Sequence, residues 1–192
     1  MKTLKKGSRG KMVEKLQRLL NTAGCECGKA DGIFGKNTEA AVKDFQKENR
    51  LAVDGMAGLK TFEALFLKTK TEPKTEHFKL SEFKCHNGTK VPTEYYGNVQ
   101  ELMYQLEEIR AACGNAAIHI QSGYRTKEYN AKQKGASPRS QHLTASAADI
   151  KVKGMAPAEV YKICDKLVGS RGGVGKYKNF THNDIRGYRA RW

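Results

Sequence analysis

The stretch S-Q-H-L-T-A-S-A-A-D-I-K-V, residues 140–152, carries a histidine and an aspartate seven positions apart, His142 and Asp149. A catalytic zinc ion needs three protein ligands and an open position for water, and histidine and carboxylate side chains are its usual ligands outside thiolate sites. The two residues could therefore be two ligands of such a site. They could equally be an ordinary polar pair in a turn before a strand. A metal site therefore requires a third candidate ligand elsewhere in the chain.

The segment N-F-T-H-N-D-I-R-G-Y, residues 179–188, supplies the best third ligand, His182. We predict a short strand here, in which His182 and Asp184 face one side because side chains alternate along a strand. Asp184 would then lie on the metal side.

Two other histidines are weaker candidates. His119 lies in a strand pattern but has no acidic neighbour at a ligand-like spacing, so it is interpreted as a residue of a polar face. His86 follows Cys85, but adjacent residues of a strand point to opposite sides and no third group is present to orient the imidazole. A cysteine hydrolase is therefore not favoured.

The elements that must position these residues form an α+β pattern over 77–192. A helix is predicted between Asn98, as N-cap with Glu101 three residues on, and Gly114 as its end. Residues 116–125 are predicted to form a strand and turn, and a second helix is predicted from Pro157 to Gly169.

The amino-terminal part contains an internal repeat. D-G-I-F-G-K-N-T-E-A-A-V (31–42) and D-G-M-A-G-L-K-T-F-E-A-L (54–65) share D-G-x-x-G-x-x-T-x-x-A followed by an aliphatic residue. Each is predicted to be a turn followed by a helix, and an amphipathic helix upstream completes an all-α three-helix bundle over 1–67. Residues 68–76 are polar, contain a proline and are predicted to be the linker.

Composition limits the partners. The net charge of +15 comes from 35 Lys plus Arg against 20 Asp plus Glu, which favours a polyanionic partner such as nucleic acid, an anionic membrane or an acidic wall polymer. Neither a glycine-rich phosphate loop nor a basic helix with interleaved aromatic residues is present, so nucleic acid is not expected. No run of eighteen apolar residues exists, so no membrane span is expected.

The start of the chain and its cysteines bear on localisation. The first ten residues lack the hydrophobic core of a signal peptide, which predicts cytoplasmic synthesis and release by lysis or another route. Five cysteines without C-x-x-C spacing argue against a disulfide framework and a cysteine-only zinc site, and they fit synthesis in a reducing compartment. We assume a monomer.

Residues 4–66 resemble the peptidoglycan-binding domain 1 family, through L-K-K-G-S-R-G-K-M-V-E-K-L-Q-R-L-L followed by the two D-G repeats. The resemblance implies a module that targets the protein to the cell wall, with peptidoglycan as its partner.

Residues 77–192 resemble the M15 family of zinc D-Ala-D-Ala carboxypeptidases and related endopeptidases. The motifs are S-G-Y-R at 122–125, S-x-H-x(6)-D at 140–149 and F-x-H-x-D at 180–184. The resemblance implies His142, Asp149 and His182 as ligands of one Zn²⁺. It implies that Arg125 engages the substrate. We expect Ser140 and Tyr124 to assist as substrate-binding or orienting residues, with packing as the alternative role of Tyr124.

Two positions depart from the family pattern. Ala145 replaces a usual glycine, which the fold accommodates if the backbone there does not need a positive φ. Asn179 stands where several branches carry the acidic catalytic base, and an amide cannot accept that proton. Asp184 is predicted to be the base instead, with orientation of His182 as its alternative role.

The resulting expectation is a zinc metallopeptidase that hydrolyses an amide bond in peptidoglycan stem peptides or cross-links, acting at the cell wall. The alternative, motivated by Asn179 and Ala145, is a catalytically inactive wall-binding protein that retains zinc.

Overall fold

Three helices form the first of the two units into which the chain divides, Met1–Glu72 and Pro73–Trp192. The computed structural model describes all residues, 1–192. The helices are α1 (Lys11–Thr22), α2 (Lys36–Glu48) and α3 (Leu59–Thr69). Apolar residues at three-and-four spacing, such as Val13, Leu16 and Leu20 of α1, are fully buried because they share one helix face. The predicted three-helix bundle is confirmed.

The D-G repeat of the first unit is held by a buried glutamine. Gln46 of α2 donates from Nε2 to Asp54 Oδ1 (2.8 Å) and to the carbonyl oxygen of Met56 (2.9 Å). Its Oε1 accepts from the backbone N–H of Gly55 at 2.9 Å. One side chain thus fixes a turn whose Gly55 has a φ of 69°.

The first copy of the repeat is held in the same way. Gln17 of α1 donates to Asp31 Oδ1 (2.9 Å) and to the carbonyl oxygen of Ile33 (3.1 Å), and its Oε1 accepts from Gly32 N–H (2.9 Å). The repeat is therefore a repeat of hydrogen bonds as well as of sequence, with one glutamine from the preceding helix in each copy.

The second unit combines three helices with a mixed five-stranded sheet, as predicted for an α+β domain. Its helices are α4 (Tyr96–Ala112), α5 (Lys127–Ala131) and α6 (Pro157–Val168). Its strands are β1 (Ile118–Ser122), β2 (Ala147–Val152), β3 (Gly173–Lys176), β4 (Thr181–Asp184) and β5 (Ala190–Arg191). The strand order is β1-β2-β4-β3-β5, antiparallel except for the parallel β3–β5 pair.

One face of this sheet is covered by α4 and α6. Ala148, Ile150 and Val152 alternate along β2 toward these helices and belong to the buried cluster, to which Cys113 and Cys164 also contribute as free thiols. Because side chains alternate, Asp149 points to the opposite face of β2. The core therefore fixes which side of the sheet presents the polar residues.

Two predicted boundaries differ from the structure. Asn98 is not an N-cap, because α4 begins at Tyr96 and the buried Asn98 side chain instead donates to the carbonyl oxygen of Thr144 at 2.7 Å. The predicted linker, 68–76, is structured at both ends. Helix α3 continues to Thr69, and the backbone N–H of Lys74 bonds to Gln100 in the second unit.

Replacing Gln46 by alanine is expected to destabilise the first unit by about 1–3 kcal/mol, because the buried N–H of Gly55 loses its partner. Hydrogen exchange of the peptide 54–61, followed by mass spectrometry on the full chain, should show faster exchange. Lys47→Ala, at the adjacent exposed position of α2, is the control. Equal exchange in the two variants would contradict the role given to Gln46.

Candidate metal centre

Strand register brings two of the predicted ligands together. Asp149 of β2 lies directly opposite His182 of β4 in the antiparallel ladder, so both side chains share one face. His142 reaches them from the 3₁₀ turn Gln141–Thr144, which enters β2. All three residues are buried, and their candidate ligand atoms lie within 4.8 Å of one another. This group could hold a metal ion.

Asp149 Oδ1 is the meeting point of the three side chains. It lies 2.9 Å from His182 Nδ1 and 3.3 Å from His142 Nε2. The other carboxylate oxygen, Oδ2, accepts a hydrogen bond from Arg125 Nη2 at 2.6 Å. Arg125 thus occupies one oxygen and leaves the other directed at both imidazoles.

Each histidine is held through the nitrogen that faces away from Asp149. His142 Nδ1 lies 2.6 Å from the carbonyl oxygen of Gly123, which can only accept, so Nδ1 carries the proton and Nε2 is left with its lone pair. His182 Nε2 lies 3.1 Å from Asp184 Oδ2. A histidine that binds a metal through one nitrogen is commonly oriented by such a partner on the other.

Asp184 is fully buried behind His182. Its carboxylate accepts from Arg186 Nη2 (2.6 Å), from Arg186 Nε and from the backbone N–H of Gly173 (2.8 Å), in addition to the contact with His182. Both oxygens are therefore occupied, and Asp184 is not part of the cleft surface. This geometry favours the orienting role of Asp184 over the role of base that the sequence predicted.

The charges of the centre follow from burial and hydrogen bonding. Burial by itself would raise the pKa of the Asp149 carboxyl, but hydrogen bonds with His142 and His182 outweigh it and hold that pKa below its usual range. Burial lowers the pKa of His142, which favours the neutral imidazole. Burial also opposes the charged form of His182, yet its contacts with Asp149 and Asp184 raise its pKa above the ordinary value.

A cleft of about 920 Å³ opens over the three residues. Arg125, Ser140, Tyr177, Phe180, Arg186 and Trp192 are among the residues of its lining. Arg125 donates from Nε to Ser122 Oγ (2.9 Å), while its Nη1 has no hydrogen-bond partner in the chain. This nitrogen is available to a ligand in the cleft.

Glycines of β3 make room for the cleft wall. Gly175 lies opposite His182 in the ladder, and a Cβ there would come within 2.5 Å of Trp192 Nε1. The indole rests against the His182 ring, with centroids 5.1 Å apart, and donates to the Tyr177 hydroxyl at 2.8 Å. A Cβ on Gly173 would overlap Asp184 Oδ2 and Arg186 Nε. Neither position accepts a side chain without displacing a site residue.

Ser140 and Tyr124, which the sequence also predicted to bind substrate, occupy different places in the structure. Ser140 lines the cleft, and its Oγ accepts from the His142 backbone N–H at 3.3 Å. Tyr124 does not line the cleft, because it is buried in the core beside Tyr95, with ring centroids 6.1 Å apart.

The two departures from the family pattern also have defined positions. Asn179 is exposed in the β3–β4 turn and is absent from the cleft lining. Ala145 has a φ of 52°, so the condition under which alanine would replace glycine without strain is not met. A left-handed conformation costs an L-residue roughly 1–2 kcal/mol, and the buried turn between His142 and β2 imposes it.

Sequence reasoning missed Arg186 and Trp192. Arg186 lies two positions after Asp184, which is the spacing that places residues on one strand face. The glycines of G-G-V-G, residues 172–175, were a second signal, because glycine within a strand often marks the close approach of another group. No local feature of the sequence places Trp192 beside His182.

A three-residue centre of this kind, on one face of the sheet of an α+β domain, is typical of a metal-dependent hydrolase. The chain matches the family model described as Peptidase M15 over residues 76–184, and it belongs to that family. Residues 9–65 match the model described as "Putative peptidoglycan binding domain".

Relatives match both parts of the chain. It is 34% identical to the zinc D-Ala-D-Ala carboxypeptidase of Streptomyces albus G over 155 residues, which cover 77% of this chain and 60% of that protein. It is 34% identical to the spore cortex-lytic enzyme of Bacillus cereus over 113 residues, covering 52% of this chain and 44% of that enzyme. The chain thus spans less than two thirds of the length of either relative.

Among solved structures, the SleB N-terminal domain is 40% identical with a TM-score of 0.35, covering 35% of this chain and 93% of that one.

In the structure of this protein, no helix is both long and apolar enough to cross a membrane.

Replacing Gly175 by alanine is expected to push the indole of Trp192 away from His182, because the new methyl group overlaps the ring. Trp192 is the single tryptophan of the chain, so its fluorescence reports this directly. We expect a red-shifted emission and stronger quenching by acrylamide. Gly35→Ala, whose Cβ meets open space, should leave the spectrum unchanged. An unchanged spectrum in Gly175→Ala would contradict the packing described.

Proposed function

We propose that this protein is a zinc-dependent peptidase of peptidoglycan, which hydrolyses an amide bond in stem peptides or in their cross-links. The observation that carries the proposal is the convergence of His142, Asp149 and His182 on Asp149 Oδ1 beneath an open cleft. Membership of the Peptidase M15 family and the match of residues 9–65 to a peptidoglycan binding domain support the reaction type and the polymer.

The donor set fits zinc. Two imidazoles and one carboxylate leave a fourth position open, as catalytic zinc sites require. With zinc–ligand distances of about 2.0–2.2 Å, tetrahedral ligand atoms lie roughly 3.3–3.5 Å apart. The 3.3 Å and 2.9 Å separations around Asp149 Oδ1 are close to this spacing. When bound, zinc would polarise the scissile carbonyl group and lower the pKa of a water from about 15.7 toward about 7.

The side chains around the three ligands divide the remaining tasks. Arg125 holds Asp149 through Nη2 and presents Nη1 to the cleft, where a guanidinium can bind a peptide carboxylate or a carbonyl oxygen that gains negative charge. Ser140 fixes the start of the turn that carries His142. Asp184, itself held by Arg186, keeps the His182 ring in register with Asp149.

The amino-terminal unit is proposed to retain the enzyme on its insoluble substrate. A wall-binding module raises the local concentration of the catalytic unit without adding a contact to the reaction. The net charge of +15 favours association with an anionic wall. The site of action is accordingly the cell wall, and a monomer suffices for both tasks.

The decisive experiment is mass spectrometry of purified peptidoglycan after incubation with the zinc-loaded protein. We expect new stem-peptide fragments, whose masses identify the cleaved bond, and we expect a chelator to abolish them and added zinc to restore them. His142→Ala should release no fragments because it removes one of the three donors. His119→Ala removes an exposed imidazole of β1 and should act like the unaltered protein.

Absence of fragments from a protein that binds zinc and sediments with the wall would reject the peptidase and leave the wall-binding alternative. Of its two motives, Asn179 lies outside the cleft lining, and Ala145 has a φ of 52° in the turn that carries His142.

Replacing Asp184 by asparagine is expected to weaken zinc binding by about 10–100-fold, because the side chain that orients His182 loses its charge. Competition with a chromophoric chelator measures this affinity. Asp165→Asn is the control, since Asp165 pairs with Arg189 and Arg191 but touches none of the three donors. Equal affinities in the two variants would show that Asp184 does not orient the ligand.

A further inference from the structure

One wall of the cleft is formed by the segment 132–140, which connects α5 to the 3₁₀ turn at Gln141–Thr144; we name it the cleft loop. Gln133, Lys134, Gly135, Ala136, Ser137, Arg139 and Ser140 of this loop line the cleft. The loop leads directly into His142. A substrate held over the three proposed ligands therefore meets this wall.

Hydrogen bonds hold the cleft loop in a defined shape. The carbonyl oxygen of Ser137 accepts from Asn130 Nδ2 (2.9 Å) and from the Ser140 backbone N–H (3.1 Å). Ser137 Oγ accepts from the Arg139 backbone N–H at 3.1 Å. Because Asn130 itself is buried at the end of α5, the loop is attached to the core and not only to its neighbours in sequence.

The cleft carries an excess of positive charge. Asp149 is the one carboxylate of its lining, whereas four cationic residues line it: Arg125, Lys134, Arg139 and Arg186. The two arginines next to the ligands are neutralised by carboxylates, Asp149 and Asp184. The two cations of the cleft loop have no ion pair within the chain. A bound divalent metal ion would add to this excess.

We propose that Lys134 and Arg139 form a subsite for a carboxylate of the substrate peptide, separate from the group that is hydrolysed. Arginine offers a planar fork that matches a carboxylate, and lysine adds a mobile point charge. The inference deepens the proposed function and rests on it. It assigns the cleft loop the task of selecting peptides that carry a negative charge beside the scissile amide.

The chain supplies its own matched control. Lys132 is exposed and belongs to the same loop, but it does not line the cleft. If the cations acted only through the overall charge of the protein, Lys132→Ala, which removes one charge, would reduce the preference for the free-acid peptide about half as much in free energy as the double variant, which removes two. A subsite instead requires that only the cations that line the cleft affect substrate binding.

The test uses the zinc-loaded full chain and three soluble stem peptides. One has all its carboxylates free, the second has the internal acidic residue as a carboxamide, and the third has the terminal carboxylate as a carboxamide. Binding is measured by rapid-mixing fluorescence of Trp192 before turnover, and hydrolysis by initial rates. The proteins are the unaltered chain, the double variant Lys134→Ala/Arg139→Ala, and Lys132→Ala.

We expect the unaltered chain and Lys132→Ala to bind the free-acid peptide more tightly than one of the two carboxamides, by about 10–100-fold, as for a charge-assisted contact. The double variant should lose this preference. Which carboxamide binds weakly identifies whether the recognised carboxylate is internal or terminal.

Two results would overturn the subsite: a double variant that keeps the preference, or one that loses affinity for all three peptides equally. The proposed function fails separately. If the unaltered chain hydrolyses no peptide yet shows the binding preference, the subsite stands without the peptidase. If it hydrolyses all three peptides at rates that neither variant changes, the peptidase stands without the subsite.

Discussion

The second unit depends on one arrangement, in which a single oxygen of Asp149 faces two histidines while Arg125 holds the other oxygen. A buried carboxylate is costly unless it is paired, and breaking such a pair costs about 3–5 kcal/mol. The sheet meets this requirement through register, because Asp149 and His182 are directly opposite on neighbouring strands. The same contacts that make the carboxylate tolerable inside the protein create the set of donors for a cation.

Further pairs of opposite charge hold the residues of this centre in place. Asp184 lies behind His182, and Arg186 behind Asp184, so that each polar group in the sequence of contacts is satisfied by the next. The glycines of β3 are part of the same construction, since they leave the face of the sheet free for Asp184 and Trp192. The absence of a side chain at these glycines thus leaves the space that Asp184 and Trp192 occupy.

In the first unit, too, buried polar side chains have their hydrogen bonds satisfied. Gln17 and Gln46 each close a D-G turn with one side chain that both donates and accepts. A buried amide is acceptable there because all of its partners are supplied by the turn. The two copies preserve this network although the glutamine precedes its turn by different lengths of chain, which indicates that the turn geometry is what the repeat maintains.

The sequence by itself determined the two-domain organisation, the types and approximate extents of the main helices and strands, and the three candidate ligands. These follow from hydrophobic periodicity, from glycine turns and from motifs that resemble known families. Only the tertiary structure decided that Asp184 lies behind His182, that Tyr124 belongs to the core and that Ala145 adopts a positive φ. It also brought Trp192 and the cations of the cleft loop to the site. The physical reason is that strand register, turn geometry and burial arise from contacts between distant parts of the chain, which local patterns do not encode.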